Sequence, residues 1–310
     1  MTSGLGTHVT AGADVRALER RYRRLLLAYP PGYRAAHGEE LIGTLLETAA
    51  PGRATPPLAE AVALVHGGLR ARAERAATGP AWADGLHLGV TVLVVAGFAA
   101  LLPYAGSIPV WTGLAGLATL AVLNGWAVAA LPLMVLVAAR VGAIALGRPW
   151  PDGTLLPVFP DAPWGEGPAL YQGGGPVAPV AAWALAFLGL AVLAARRVPL
   201  RRRSWRWWLL APPLAPAAQD PLLLNADPTR TPARLLAEVA LLLLAVWACH
   251  VTGDPRWSLA AAVYVLAKCA ELAENLPYAG PRELAHLALL AFPAAAAAVL
   301  AHRTRRHDTL

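Results

Sequence analysis

The chain has 310 residues, of which 57% are hydrophobic and 15% are charged, and its formal net charge is +7. Soluble domains carry about 25% charged residues, so this composition excludes an ordinary soluble enzyme and predicts an integral membrane protein. Cys249 and Cys269 are the 2 cysteines, and both lie in apolar segments. This placement disfavours a structural disulfide and a cysteine metal site.

The first part of the chain is charged and rich in arginine, in contrast to the apolar remainder. We expect residues 1 to 13 to be disordered and residues 14 to 80 to form a small helical domain, called the head below. Asp14 is a suitable N-cap for a first helix, and Pro30-Pro31-Gly32 ends that helix. Its apolar stripe has helical spacing and comprises Val15, Leu18, Tyr22, Leu25 and Tyr29.

Two further short helices are predicted in the head. The second runs from Tyr33 to Thr48, and Pro51-Gly52 ends it. The third begins after Thr55. The residues expected to point inward are Leu41, Ile42, Leu45 and Leu46 on the second helix, and Leu58, Val62, Val65 and Leu69 on the third. Such a small core needs support from the membrane part or from a partner.

The head also shows no secretory signal, because its early apolar run over residues 25 to 28 stops at Tyr29-Pro30-Pro31. We therefore expect the head to stay in the cytoplasm.

The arginine-rich segment carries a recognisable pattern. It consists of the run RRYRRLL at residues 20 to 26, followed by Tyr29-Pro30, Tyr33-Arg34 and Gly38-Glu39-Glu40. Over residues 14 to 77 the chain resembles the HAAS-like or permease-prefix domains of bacterial, mainly actinobacterial, membrane proteins. In that family the prefix precedes transmembrane segments, and the gene often lies beside that of a PadR-type regulator. The resemblance implies a regulatory or signalling role and no reaction.

Residues of this pattern are the candidates for binding a cytoplasmic regulatory protein. They are Arg20, Tyr22, Arg23, Tyr29, Tyr33, Arg34, Glu39 and Glu40. Packing in a helical core or interface is the commoner role for such tyrosines, and a solvated face or contact with anionic lipid headgroups is the commoner role for such arginines. Nucleic acid is disfavoured as a partner, because the glutamates of the head dilute the positive field.

The apolar remainder, residues 81 to 302, predicts a polytopic helical membrane domain of an all-α protein, followed by a basic tail at 303 to 310. Clear spans are Leu86–Leu102, two within Val110–Gly147 joined at Asn124-Gly125-Trp126, Ala178–Ala195, Leu235–Val251 and Leu284–Ala301. Two further segments, Trp205–Leu224 and Trp257–Leu272, contain prolines or charges. With both there are about eight spans, and without both about six. Arg230 and Arg234 favour six, whereas the length and apolarity of the two segments favour eight, which is the prediction.

The arginines also predict the orientation in a bacterial cell membrane. Basic residues concentrate in the head, in the loop from Arg196 to Arg206 and in the tail. An even number of spans places all three regions, and both termini, in the cytoplasm. Residues 148 to 177, which are rich in proline and glycine and contain Trp150, Phe159, Trp164 and Tyr171, then form an external loop at the bilayer surface.

Lys268, Glu271 and Glu274 form a candidate polar site within the apolar domain. Steps of three residues place them along one side of a helix, where Lys268 and Glu271 would pair. The site is either part of a proton or substrate path, or the water-exposed end of its helix. The sequence has no HExxH, GxSxG or Walker lysine motif. We therefore expect no enzyme activity, no cofactor and no metal, and keep a permease subunit without its own ATPase as the alternative function.

Overall fold

The structure, a computed structural model, describes residues 5–50, 53–76, 80–146, 148, 177–214, 232–274 and 281–307. These residues form helices and turns and contain no strand, which confirms the all-α class. The chain divides into two compact units, Met1–Thr78 and Gly79–Leu310. This division lies close to the predicted boundary between the head and the apolar domain.

Unit 1 contains three α-helices, with a short 3-10 helix, Leu26–Ala28, after the first. The helices are α1 (Leu5–Leu25), α2 (Pro31–Glu47) and α3 (Leu58–Ala76). Pro30 and Pro31 separate the first two, and Pro31 occupies the first turn of α2, where no amide donor is needed. The core consists of Leu18, Tyr22, Leu26, Ile42 and Leu64.

The first helix starts earlier than the sequence predicts. Because α1 begins at Leu5, residues 5 to 13 are helical where disorder was predicted, and Asp14 lies within the helix instead of capping it. No proline interrupts residues 5 to 13, and extending an existing helix costs far less than starting one, because each added residue gains a hydrogen bond.

The buried face of α3 also differs from the prediction. Leu58, Val62 and Leu69 were expected inside, yet their exposed fractions are 80%, 58% and 44%. The face that packs in unit 1 runs instead through Leu64 and Gly68. A Cβ at Gly68 would lie 2.7 Å from that of Ala28, so the lack of a side chain permits close packing against the end of the 3-10 helix.

Unit 2 is a bundle of helices with a large apolar core. A six-residue 3-10 helix, Trp205–Leu210, precedes its shortest α-helix. The α-helices described in it are α4 (Ala81–Leu101), α5 (Pro109–Leu123), α6 (Ala127–Ala145), α7 (Val177–Ala195), α8 (Ala211–Leu214), α9 (Pro232–Thr252), α10 (Arg256–Glu274) and α11 (Pro281–His307). Gly125, with φ of 76°, makes the tight turn between α5 and α6 at the predicted position.

Contacts between helices define two ends of unit 2. The imidazole Nε2 of His87, near the start of α4, forms a hydrogen bond with the carbonyl oxygen of Val122, near the end of α5. These two helices therefore run antiparallel. Positions 85 and 89 of α4 lie against Arg256 and Val263 of α10, so these two helices run parallel. We call the end that contains the start of α4 and the start of α10 the Asp84 end. The turns between α5 and α6 and between α9 and α10 also lie there.

The last helices follow the same alternation. Cys249 of α9 packs with Ala297 and Ala301 of α11, whereas Leu242 packs with Leu290 and Ala294. Therefore α9 and α11 run parallel, and α11 ends at the Asp84 end. The helix continues to His307, so residues 303 to 307 are helical although they were predicted to be a tail. These residues contain neither proline nor glycine to stop the helix.

Among the described residues, three helices are long and apolar enough to cross a membrane: Ala81–Tyr104, Ala127–Ile144 and Leu235–Thr252. Shorter apolar helices are Pro109–Leu123, Val180–Ala195 and Leu287–Ala301. Segment Trp205–Leu224, predicted as a span, begins with the 3-10 helix and α8 instead of one regular helix, and its residues from 215 lie outside the described part. Prolines 212 and 213 interrupt helical hydrogen bonding there. The count of eight spans stays a prediction.

The other uncertain segment, Trp257–Leu272, lies within the single helix α10. The predicted external loop lies outside the described residues except for Arg148 and Val177, and Arg230 also lies outside them.

The close approach of α4 and α10 gives a first testable prediction. A Cβ at Gly85 would lie 2.7 Å from the carbonyl oxygen of Arg256, whereas a Cβ at Gly113 meets nothing within 4 Å. We expect Gly85→Ala to lower the unfolding free energy by about 1–3 kcal/mol, because the helices must separate, and Gly113→Ala to cause no loss. Tryptophan fluorescence during unfolding of the detergent-solubilised chain measures both. Equal stability of the two variants would contradict this packing.

Candidate functional site

Tyr22 is a core residue of unit 1 and does not lie at its surface. Its side chain is 1% exposed, and its hydroxyl donates to Glu60 Oε2 at 2.9 Å. Burial, followed by the hydrogen bond to Glu60, raises the pKa of Tyr22 to about 12. Tyr22 therefore joins α1 to α3. Any effect of this candidate on a partner would be indirect.

Arg23 and Glu39 join α1 to α2 at an exposed surface. Arg23 donates to both carboxylate oxygens of Glu39, at 2.8 and 3.0 Å, and also to Glu19 in the preceding turn. Solvent screens such pairs, so they align the helices more than they stabilise them. Arg20 and Glu40 are likewise exposed.

An aromatic row lies at the beginning of α2. The rings of Tyr29 and Tyr33 stack with centroids 5.0 Å apart, and His37 follows Tyr33 at 5.0 Å. Tyr29 is half-buried, whereas Tyr33 and His37 are exposed. Arg34 is half-buried. Exposed aromatic rings beside charges are the usual material of protein interfaces, so this row is the part of the candidate set best placed to contact a partner.

Arg72 holds the end of the 3-10 helix, a role that no pattern in the sequence indicates. Its guanidinium donates to the carbonyls of Leu27 at 2.7 Å and Tyr29 at 3.3 Å, and also to that of Ala28. Carbonyls at a helix end lack partners within the helix, and a cation is a favourable donor to them.

In unit 2, the predicted polar site has a different partner. Lys268 Nζ lies 3.6 Å from Glu238 Oε1 on α9, and Tyr264 donates to the same oxygen at 2.6 Å. Glu238 is 2% exposed. The expected pairing of Lys268 with Glu271 is not among the described contacts, because the side chains of Glu271 and Glu274 lie outside the described residues.

Sequence reasoning missed Glu238, although the turn between α9 and α10 contains a signal for it. Glu238 precedes Asp254 by 16 residues and Lys268 follows it by 14. In two antiparallel helices joined by a short turn, residues at similar distances from the turn lie side by side. We call Glu238, Tyr264 and Lys268 the α9–α10 polar site.

A second buried network lies at the Asp84 end. Asp84 accepts from Arg203 at 2.9 Å through Oδ1 and from Arg256 at 2.9 Å through Oδ2. Arg256 also pairs with Asp254 at 2.8 Å. Burial lowers the pKa of Arg203, while Asp84 acts in the opposite direction. Two arginines and two aspartates thus balance in charge and join the loop before the 3-10 helix to α4 and α10.

Arg140 of α6 is buried and does not reach out towards a surface. Its exposed fraction is 1%, and its guanidinium carbon lies 5.8 Å from the centre of the Trp111 ring of α5. This geometry allows a cation–π interaction in a dry environment. Although Arg140 lies near the end of an apolar helix, its side chain therefore does not extend to the protein surface.

These arrangements define a helical protein with a small charged unit and an apolar bundle that buries ion pairs. Among the residues that the structure describes, no group of three or more His, Cys, Asp or Glu side chains is placed to hold a metal ion. Comparison of the chain with protein-family models, characterised proteins and solved structures finds no match. The likeness of residues 14 to 77 to prefix domains therefore stays a prediction.

The hydrogen bond between Tyr22 and Glu60 gives a second prediction. We expect Tyr22→Phe to destabilise unit 1 by about 1–2 kcal/mol, because Glu60 loses a buried donor. Tyr33→Phe, at an exposed position, is the control and should change stability by less than about 0.5 kcal/mol. Hydrogen exchange of α1 and α3 in the full chain reports both values.

The pKa of Tyr22 sets the pH dependence of the same bond. Folding raises the pKa of Tyr22 from 10 to about 12. The stabilisation that its hydrogen bond with Glu60 provides is therefore complete below pH 10 and is lost as the pH rises through about 12. Exchange in Tyr22→Phe should lack this alkaline step, and an unchanged step would contradict the assignment.

The α9–α10 polar site gives a third prediction. Lys268→Met leaves a buried carboxylate without its cation and should cost about 3–5 kcal/mol, and Glu238→Gln should also destabilise the bundle. The double variant should lose about 1–3 kcal/mol less unfolding free energy than the sum of the two single losses, because neither charge is left without the other. Unfolding in detergent measures the cycle, with the exposed Arg202→Gln as control. Additive losses would show that the two charges do not interact.

Proposed function

We propose that the chain is a regulatory or signalling protein of the bacterial cell membrane, in which unit 1 is a cytoplasmic head that binds a protein partner. The supporting observation is the contrast between the units. Unit 1 has a core of its own and exposes charged and aromatic side chains, whereas unit 2 contains the apolar helices. The proposal includes no reaction and no cofactor.

The distribution of arginine supports a cytoplasmic location for the Asp84 end. Arg201, Arg202 and Arg206 are exposed in the loop that Arg203 holds at that end. The helix α4, which follows the head in the chain, also starts there. Basic residues concentrate on the cytoplasmic side of membrane proteins. Head and arginine loop therefore share the cytoplasmic side in this proposal.

The direction of the helices supports an even number of crossings. The helix α4 begins at the Asp84 end and α11 finishes at the same end. The chain from the start of α4 to the end of α11 therefore crosses unit 2 an even number of times. Seven helices of 15 residues or more are described in unit 2. In the proposal, the eighth crossing lies between Arg203, which is at the Asp84 end, and Pro232, where α9 begins at the opposite end. The chain therefore makes eight crossings in this proposal, with both termini in the cytoplasm.

Within the head, the row of Tyr29, Tyr33 and His37 is the proposed contact for the partner. Glu39, Glu40 and Arg20 provide exposed charges of both signs on the same unit. Aromatic and arginine side chains contribute most of the binding energy in protein interfaces, and mixed charges select the partner. This surface suits a folded protein better than nucleic acid, whose phosphates need a uniformly positive surface.

A permease or transporter subunit is the second candidate, and the α9–α10 polar site favours it. Ionisable groups buried in membrane helices often mark ion or proton paths. The distinguishing result is solute or proton flux into liposomes that contain the purified chain, with loss of flux in Lys268→Met. Flux that depends on Lys268 would replace the regulatory proposal.

The regulatory proposal is tested in living cells by photo-cross-linking. A photoreactive amino acid at Tyr33 should cross-link to one defined cytoplasmic protein, and the same group at Leu117, exposed on the apolar helix α5, should not. Co-purification of the identified protein with the unmodified chain, weakened about tenfold or more by Tyr33→Ala, then confirms a hot spot. Cross-links to lipid alone would contradict the proposal.

Orientation is tested separately with single cysteines and an impermeant maleimide. His37→Cys in the head should react only after the membrane is opened, whereas Arg148→Cys, at the first residue of the predicted external loop, should react in intact spheroplasts. Labelling of both positions in intact spheroplasts would contradict the orientation.

A further inference from the structure

The exposed apolar stripe of α3 is unexplained by the core of unit 1. Leu58, Val62 and Leu69 are 80%, 58% and 44% exposed, and Val65 between them is half-buried. On a helix of 3.6 residues per turn, these four positions fall within a sector about 60° wide. Leucine and valine at spacings of four, three and four residues therefore form one continuous apolar line along the outer face of α3.

Basic residues accompany this line at the C-terminal end of α3. Arg70, Arg72 and Arg75 occupy the last two turns, where Arg70 pairs with the single acid Glu74 at 2.8 Å. All three arginines are exposed. The guanidinium of Arg72 also donates to the backbone carbonyls of residues 27 to 29. The surface thus combines an apolar stripe with an excess of positive charge, which is the combination that binds the interface of an anionic bilayer.

The end of α3 lies close in the sequence to the start of α4. Only residues 77 to 80 separate Ala76, the last residue of α3, from Ala81, the first residue of a helix long and apolar enough to cross a membrane. A short tether of this kind raises the effective concentration of α3 at the membrane surface to the millimolar range. Weak affinity of four aliphatic side chains is then sufficient for binding.

We propose that α3 is a docking surface for the membrane itself: Leu58, Val62, Val65 and Leu69 insert into the headgroup region of the cytoplasmic leaflet, and Arg72 and Arg75 contact anionic phosphates. The inference rests on the proposed membrane location of the chain. A second copy of the chain is a poorer occupant, because parallel pairing of two α3 helices would place their arginines against each other. A partner protein is the other competing occupant.

The test uses the full chain with one fluorescent label in nanodiscs. Cys269 is exposed and is replaced by alanine, whereas Cys249 is buried and stays. An environment-sensitive nitrobenzoxadiazole label is attached at Val62→Cys, and at Ala63→Cys as the control. Ala63 is the next residue, exposed and about 100° around the helix. The nanodiscs contain phosphatidylcholine with phosphatidylglycerol and a lipid spin-labelled near its headgroup.

Docking predicts that the spin-labelled lipid quenches the label at position 62 about twofold more than the label at position 63. Quenching at position 62 should weaken at high salt and in nanodiscs without phosphatidylglycerol. It should also be lost when Leu58→Glu and Leu69→Glu are introduced together, with circular dichroism verifying that the helices persist.

Equal quenching at the two positions, or none at either, would overturn the inference. So would a label at position 62 that becomes protected only at high protein concentration, which indicates a second copy, or only in native membranes, which indicates a partner protein. The maleimide experiment on orientation is independent of these results. It fails if the chain does not span the membrane, so failure of the docking inference is distinguishable from failure of the proposed function.

Discussion

A charge buried among apolar helices needs a compensating partner, and the organisation of unit 2 depends on this requirement at Asp84. Asp84 receives one guanidinium on each carboxylate oxygen, from Arg203 and Arg256. These three residues belong to distant parts of the chain, so their neutralisation brings α4, α10 and the loop after α7 to one end. Gly85 permits this close approach of α4 and α10, because the backbone of α10 lies nearer to position 85 than a side chain there would allow. Packing and electrostatics therefore act at the same point.

The helix α10 connects this network with the α9–α10 polar site. Arg256 in its first turn and Lys268 further along are about 18 Å apart along the axis, at 1.5 Å per residue. Each side chain pairs with an acid on a different neighbouring helix, Asp84 on α4 and Glu238 on α9. A rotation of α10 would disturb both contacts together. Buried ion pairs of this kind contribute less to stability than to the choice of one arrangement, because desolvation offsets most of the Coulomb attraction.

The sequence predicts those features of the fold that depend on local composition. Six apolar runs correspond to helices α4, α5, α6, α7, α9 and α11, since a long apolar run has few alternatives to a helix in such a chain. The turn at Asn124 and Gly125 was also predictable, because glycine accepts the positive φ found there. The division near residue 80 follows from the change in charge.

Features that depend on contacts between distant residues were not predictable in this way. Periodicity finds the stripe of Leu58, Val62 and Leu69 on α3 but does not say whether that stripe faces inward. Contacts on the opposite face of α3 turn the stripe outward: Leu64 packs in the core, Glu60 bonds Tyr22, and Gly68 lies against Ala28. Asp84 looks like an ordinary acid in the first turn of a helix, and only the three-dimensional structure brings two arginines to it.

The two units use charge in opposite ways, and this difference bears on how a signal would pass through the molecule. In unit 1 the ion pairs of Arg23 and Glu39 are exposed to solvent, so breaking them costs little. In unit 2 the described pairs of Asp84 and Glu238 are largely withdrawn from solvent, so separating their members exposes an uncompensated charge to an apolar environment. A partner can shift an equilibrium only by the difference between its affinities for two states. Under the proposed regulatory function, a weakly binding partner would therefore have enough energy to alter the surface of the head, whereas a rearrangement of α10 would require a ligand that replaces the lost contacts of Asp84 or Glu238.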